Sequence, residues 1–286
     1  MQTLIEYIYK NTGWLYIKIL GNSIFFFDFW SFVHLWSGAI LITIFAIAKF
    51  RHKWSTLFAF LLFYEITEII LRFAALKVFL PETIKDQFTD IIVGMTGGYL
   101  FYKWLVYYSS EGKNIKTFLL SYKTHIALLT AFTIAFLWVG FYEYKYNVPV
   151  LNFSGFNYAA FSFWSFGIFL ILVTYNYLTT NLKKHYSMIL VWIIYFIILC
   201  IIEYILYHFF GVRESGQHVH KPLIFDIIHG TKVLHIFYLV APFISVTLYT
   251  LVKKYIIKAF HMIREFNGEL NFVKNNTSNT EELTPL

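Results

Sequence analysis

The sequence predicts an all-α, polytopic membrane protein with about seven transmembrane helices, and three observations support this fold class. First, 58% of the 286 residues are hydrophobic and only 14% are charged, whereas a soluble domain carries about 25% charged residues. Second, seven apolar runs reach the length of about 20 residues that a helix needs to cross a bilayer. Third, lysine and arginine are concentrated in alternate loops between these runs. This composition excludes a soluble enzyme and a disordered chain.

The seven apolar runs lie roughly at 24–48, 54–79, 88–108, 118–140, 158–180, 187–210 and 225–252. The third run contains Gly94, Gly97 and Gly98, which lower helix propensity but allow membrane helices to approach closely. Ahead of the runs, residues 1–23 mix apolar and charged side chains, which predicts an interfacial amphipathic helix. At the other end, residues 259–286 predict a cytoplasmic tail that is disordered in its polar part.

The charged loops predict the orientation in the membrane. Basic residues lie in or around the loops after the first, third, fifth and seventh runs. They are Lys49, Arg51 and Lys53, then Lys103, Lys113, Lys116 and Lys123, then Lys183 and Lys184, and finally Lys253, Lys254, Lys258 and Arg264. The positive-inside rule assigns these loops to the cytoplasmic side of a bacterial-type membrane, with the N-terminus outside. The net charge of +7 is thereby explained without nucleic acid. The single cysteine, Cys200, excludes an intramolecular disulfide and a cysteine-based zinc motif.

Two pairs of segments suggest an internal repeat. DIIVGMTGGYLFY at 90–102 matches DIIHGTKVLHIFY at 226–238, and DFWSF at 28–32 matches SFWSF at 162–166. Glu68 and Glu203 are related by nearly the same offset. The matches predict a 3+1+3 plan, with one unit at 24–108, a linking transmembrane helix within 109–157 and a second unit at 158–258. Such a plan gives a parallel repeat, although the abundance of Phe, Ile and Tyr leaves chance similarity as the alternative.

Ionisable side chains inside the apolar runs are the candidates for function, because a charge in hydrocarbon is costly unless it is paired or used. In the first unit they come from three predicted helices, and we expect them to converge in the outer half of the bilayer. The set consists of Asp28, His34, Glu65, Glu68, Arg72, Asp86 and Asp90. A glycine one turn after the histidine, Gly38, would let another helix approach beside it.

These residues divide into two predicted roles. The predicted catalytic set is Glu65, Glu68, His34 and Asp90. Clustered carboxylates with a histidine can transfer protons or hold a divalent cation. The predicted substrate-binding set is Arg72, Asp86 and Asp28, with the guanidinium holding an anionic group. The structural alternatives are an internal Glu68–Arg72 ion pair, solvation of the two aspartates at headgroup level, and a histidine that only packs.

The second unit offers a smaller set of candidates: Glu203, Asp226, His229 and Lys232. Asp226 and His229 have the spacing of one helix face. No HxxxH or HExxH motif accompanies them, so oxygenase and zinc-protease signatures are absent. The pattern therefore leaves the cofactor unknown, with a divalent cation as the candidate.

Three short motifs in residues 28–105 carry a family resemblance. A first helix has a histidine shortly before a glycine (FVHLWSG, 32–38), a second has a glutamate (YEITE, 64–68), and a third begins with aspartates and runs into glycines (KDQFTDIIVGMTGGYLFY, 85–102). This part of the chain resembles the VanZ-like membrane family. The resemblance implies that the family positions are His34, Glu65, Asp90 and Gly97.

The chain departs from the VanZ-like pattern at two positions. Glu68 stands where the family usually has Gln, and Gly94 stands where it has Asn. The family is linked to low-level teicoplanin resistance and to roles in the cell envelope. The resemblance therefore implies a site and an envelope location rather than a particular reaction.

These observations lead to three functional hypotheses. The preferred one is a cell-envelope membrane protein with an outward-facing carboxylate/histidine site that binds or modifies a lipid or lipid-linked substrate. The first alternative is a proton- or cation-coupled transporter of small solutes, in which Glu68 and Glu203 are near-symmetric ion sites. The second alternative is a membrane scaffold subunit without chemistry. In all three, the lipid bilayer is a partner and nucleic acid is not.

Overall fold

The computed structural model describes residues 13–21, 26–71, 84–110, 121–148, 151, 156–212 and 227–281. These residues form seven α-helices, which confirms the all-α prediction: α1 Phe29–Ile47, α2 Lys53–Leu71, α3 Ile84–Ser110, α4 Tyr122–Tyr142, α5 Tyr158–Leu178, α6 Lys184–Tyr204 and α7 Lys232–Glu281. A π-helical turn, Ile205–Phe209, extends α6. Each α-helix overlaps one of the predicted apolar runs.

Among the described residues, five helices are long and apolar enough to cross a membrane. They are α1, α4, α5, α6 with its π-helical extension, and the part of α7 from Lys232 to Glu265. On α6, an exposed stripe at a spacing of four consists of Ile189, Ile193, Ile197 and Ile201. Such a surface suits lipid rather than water, as expected of a multi-pass membrane protein. The helices α2 and α3 are not among the five, so seven spans remain a prediction.

The segment before α1 differs from the predicted amphipathic helix. Gly13–Tyr16 is a 3-10 turn, and β1 (Lys18–Gly21) pairs antiparallel with β2 (Phe26–Asp28). The prediction of a helix over 1–23 is therefore wrong for residues 13–21, while 1–12, 22 and 23 lie outside the described residues. Aromatic and β-branched residues favour extended backbone here, and the rings of Trp14 and Phe29 pack 6.0 Å apart.

The C-terminal segment also differs from its prediction. The helix α7 continues to Glu281, through most of the polar segment for which disorder was expected. A helix that has already nucleated gains one backbone hydrogen bond for each residue it adds, so a polar sequence can prolong it. The structure thus describes a helix up to Glu281, and partial disorder of the tail stays a prediction.

The chain divides into two compact units, Met1–Asn114 with Lys254–Leu286, and Ile115–Lys253. The first contains α1 to α3, and the second contains α4 to α6. The predicted linking helix, α4, packs on α5 within the second unit, because Ala127, Ala131 and Ala135 form a fully buried stripe of small residues. This division reflects packing contacts, and the repeat-based boundaries 24–108, 109–157 and 158–258 stay predictions.

The paired segments of the predicted repeat have different backbones where they are described. Residues 90–102 lie within α3, whereas 227–231 precede α7, and Gly230 there has a φ of 112°. Likewise, Asp28 caps α1, whereas Ser162 lies inside α5. The repeat gains no support from these segments and stays a prediction.

Candidate functional site

Glycines set the distance between α1 and α3 in the first unit. A Cβ on Gly38 of α1 would collide with the carbonyl oxygen of Gly94 on α3, and a Cβ on Gly97 would collide with the backbone of α1. Gly94 and Gly98 have the small-xxx-small spacing that lets membrane helices approach closely. The contact agrees with the expectation that Gly38 admits a neighbouring helix, and it brings the residues one turn earlier on each helix together.

Those residues are His34 on α1 and Asp90 on α3, and Glu65 joins them from α2. The imidazole lies between two carboxylates, with Nδ1 3.5 Å from Oε1 of Glu65 and Nε2 3.7 Å from Oδ2 of Asp90. All three side chains are buried, and one donor atom from each lies within 4.8 Å of the others. The structure thus brings together three of the four predicted catalytic residues.

The fourth, Glu68, lies one turn further along α2 and is also buried. Among the residues that the structure describes, none donates a hydrogen bond to an oxygen of Glu65 or Glu68. Within the described ranges, no lysine or arginine forms an ion pair with either carboxylate. Burying a carboxylate without a donor is costly, so this cluster requires protons or a cation for its stability.

Ser31 connects the cluster to the start of α1. Its backbone N–H donates to Oδ1 of Asp28 at 2.9 Å, and its Oγ lies 3.2 Å from that oxygen and 3.1 Å from Oδ1 of Asp90. Because the Ser31 hydroxyl has a single proton, it donates a hydrogen bond to only one of these two carboxylates at a time. Burial raises the pKa of Asp28 above its ordinary value, and the hydrogen bonds from Ser31 oppose that shift. Asp28 is therefore the N-cap of α1. The spacing D-x-x-S from Asp28 to Ser31 is the sequence signal that could have identified Ser31 as part of a capping box.

Two predicted residues of this unit remain, Asp86 and Arg72. Asp86 lies one turn before Asp90 on α3 and is partly exposed. Arg72 lies outside the described residues, so both its ion pair with Glu68 and its anion-binding role remain predictions.

The cluster lies near one end of three helices. His34 is five residues after Phe29, the start of α1, Glu65 is six before Leu71, the end of α2, and Asp90 is six after the start of α3. At about 1.5 Å per residue, the depth is about 8–9 Å. The opposite ends of α1 and α2 flank the basic loop at 49–53, so the positive-inside rule predicts that the cluster faces outward.

In the second unit, Glu203 is the centre of a smaller polar group. The hydroxyl of Tyr238 donates to its Oε1 at 2.6 Å, and its Oε2 lies 3.9 Å from Nδ1 of His229. The ring of Tyr207 stacks on that of His229. Sequence reasoning missed both tyrosines, because nothing distinguishes them among the 22 in the chain.

Two of the four second-unit candidates therefore meet, namely Glu203 and His229. Lys232 is exposed at the start of α7, away from the apolar interior that would make its charge costly. Asp226 lies outside the described residues.

The first-unit cluster is suited to two kinds of chemistry. An imidazole between two carboxylates can pass a proton between them. It can also hold a cation, because one donor atom from each of the three side chains lies within 4.8 Å of the others, and with bonds of about 2.1 Å tetrahedral ligands lie about 3.4 Å apart. One nitrogen and two oxygen ligands suit Zn²⁺, Mn²⁺ or Fe²⁺.

Comparison of the chain with protein-family models, with curated proteins and with solved structures gives no match. Functional assignment therefore depends on the residues themselves. The fold and the cluster define a class: a helical, multi-pass membrane protein with a buried carboxylate–histidine centre.

Proposed function

We propose that this chain is a VanZ-like integral membrane protein of the cell envelope, with seven spans and its N-terminus outside. Its His34–Glu65–Asp90 cluster holds a divalent cation and acts on a lipid or lipid-linked substrate from the outer side of the membrane. The observation that carries the proposal is the convergence of these three side chains, from three helices, in one buried cluster.

The charge of the cluster favours a cation. Including Glu68, three carboxylates and one imidazole share apolar surroundings, and no described lysine or arginine pairs with Glu65 or Glu68. A divalent ion would neutralise two carboxylates and give their oxygens a partner. The glycine contact between α1 and α3 keeps the ligands of those two helices at a fixed separation.

The depth of the cluster favours a lipid-type substrate. A site about 8–9 Å from the helix ends lies near the boundary between headgroups and hydrocarbon. The rings of Trp30 and Tyr64 lie edge-on to His34, at 6.0 and 5.4 Å, and such aromatic residues are typical of that boundary. A cation there would polarise a phosphate or ester oxygen of a headgroup.

Cation binding is tested by calorimetric titration of the purified protein with Zn²⁺ and Mn²⁺ after chelator treatment. We expect one ion per chain, and at least a tenfold loss of affinity for His34→Ala and Asp90→Asn. Glu265→Gln, which changes an exposed carboxylate, is the matched control and should bind as the native protein does. Equal binding by native protein and His34→Ala would refute the cation site.

The substrate class is tested by mass spectrometry of lipids that co-purify with the native protein. We expect an amphiphile that is retained by the native protein and lost in Glu65→Gln. Identical lipid profiles for the two proteins would contradict the proposed lipid substrate while leaving the cation site intact.

A transporter is the second candidate, because each compact unit contains an intramembrane glutamate, Glu68 in the first and Glu203 in the second. Solute or ion uptake by proteoliposomes, lost in both Glu68→Gln and Glu203→Gln, would favour it. Retained uptake in either variant would rule out two equivalent ion sites.

A further inference from the structure

A cavity of about 210 Å³ lies along α5 and α6 in the second unit. On α6 and its π-helical extension, the lining residues run from Val191 to Leu206, and on α5 they run from Ala160 to Thr174. At about 1.5 Å per residue, each lining face extends for about 20 Å. The cavity therefore spans a length greater than one leaflet of the hydrocarbon core, which is about 15 Å thick.

The polar and apolar parts of this cavity are separated along its length. Glu203 and Tyr238 lie where α6 ends, and Trp164 lies near the start of the antiparallel helix α5; the rings of Trp164 and Tyr238 are 5.8 Å apart. Toward the other end, the wall is formed by aliphatic side chains such as Ile171 and Val191. The cavity is thus amphiphilic, with a carboxylate and aromatic rings at one end.

Glu203 lacks a cationic side-chain partner of the lysine or arginine type among the described residues. One of its oxygens accepts a hydrogen bond from the hydroxyl of Tyr238, and the other lies 3.9 Å from Nδ1 of His229. A carboxylate inside an apolar helix is costly unless it is compensated. A ligand with a protonated amine would supply the missing charge, and the rings of Trp164 and Tyr238 add cation–π attraction.

We infer that this cavity binds an amphiphile with a protonated amine headgroup and a hydrocarbon chain. The amine lies at Glu203, beside the rings of Trp164 and Tyr238, and the chain extends along α5 and α6. The inference uses none of the residues of the His34 cluster, so an experiment that refutes one site does not refute the other.

Gly167 of α5 offers a way to close the cavity without disturbing the fold. It lines the cavity, and a Cβ at this position would meet no atom within 4 Å. The larger side chain of Gly167→Leu can therefore occupy the space of the hydrocarbon chain. This variant tests binding of the hydrocarbon chain. Glu203→Gln tests binding of the amine headgroup, because it removes the negative charge while the volume of the side chain stays nearly constant.

The experiment is photo-labelling of the purified full chain with a tetradecylamine that carries a diazirine on its chain, followed by peptide mapping. We expect labelling on α5 and α6, and competition by unlabelled tetradecylamine at concentrations about tenfold lower than by tetradecanol. Glu203→Gln should remove this tenfold preference. Glu143→Gln, an exposed glutamate in the same unit, should keep it, and Gly167→Leu should lose the labelling.

Two results would overturn the inference. Equal competition by tetradecylamine, tetradecanol and myristic acid in the native protein would show a groove filled by any lipid chain. An unchanged preference for the amine in Glu203→Gln would show that the carboxylate does not bind the headgroup. Far-UV circular dichroism of each variant verifies that its helices are intact, and Tyr238→Phe, which keeps the carboxylate, should retain at least part of the preference.

Discussion

Replacing Gly38 with alanine should force α1 and α3 apart. The new Cβ would collide with the Gly94 carbonyl oxygen and lie 2.8 Å from the carbonyl carbon, whereas ordinary contact begins at 3.4 Å. The helices must therefore separate by at least the difference, 0.6 Å, because the obstructing atoms are backbone and cannot rotate away. Such overpacking costs about 1–3 kcal/mol in free energy of unfolding.

Gly167→Ala is the matched control, since its Cβ would meet nothing within 4 Å. Both positions are helical, so both substitutions gain the same helix propensity, about 0.5–1 kcal/mol. The difference between the two variants isolates the collision and should be about 1–3 kcal/mol. It is measured by unfolding each purified variant in mixed micelles with increasing amounts of denaturing detergent, followed by circular dichroism.

The same substitution should weaken cation binding at the cluster. Metal–ligand distances tolerate deviations of about 0.2 Å, and a separation of α1 from α3 displaces His34 relative to Asp90. If Gly38→Ala proves as stable as Gly167→Ala, the close contact between the helices is refuted. If it is less stable but binds Zn²⁺ with native affinity, the link between this contact and the site is refuted.

Two further predictions concern the second unit and the orientation. Tyr144→Phe should lower the free energy of unfolding by about 2 kcal/mol, because the hydroxyl of Tyr144 accepts hydrogen bonds from two indole N–H groups at 2.7 Å. Tyr177→Phe, at an exposed residue, is the control and should have no effect in the same unfolding assay. An equal loss of stability in both variants would contradict the role of the Tyr144 hydroxyl. The orientation is tested with single-cysteine variants in a Cys200→Ser background. Asn147→Cys should react with an impermeant maleimide on intact cells, whereas His52→Cys should react only after permeabilisation. The reverse labelling pattern would contradict the proposed orientation.

The positions of the helices could be predicted because the length of an apolar run is a property of the sequence alone. Each of the seven runs overlaps a helix in the structure. The meeting of His34, Glu65 and Asp90 could also be anticipated, since charges from different membrane helices gain by sharing one pocket. The glycine after the histidine added a geometric reason, and the collision that a Cβ would cause at Gly38 agrees with it.

Other features of the structure depend on contacts between separate segments, and the hydrophobic periodicity of the sequence does not reveal such contacts. The pairing of β1 with β2 requires a register between two short segments, and composition does not specify one. The grouping of α4 with α5 depends on three alanines whose burial becomes evident only when a neighbouring helix is in place. The link from Ser31 to Asp90 joins residues 59 positions apart, so local spacing could reveal its cap to Asp28 but not its second partner.

The difference in enclosure between the two acidic groups argues for different kinds of ligand. Glu65 and its partners in the His34 cluster are closed off from their surroundings, at 3–4% exposure, and no described residue donates a hydrogen bond to Glu65. A pocket of that kind suits a small ion that is held between rigid helices. Glu203 has a tyrosine donor and 19% of its side chain exposed, and it lines a cavity large enough for a hydrocarbon chain. Such a site suits a ligand that enters and leaves, because the tyrosine compensates part of the buried charge while the cavity is empty.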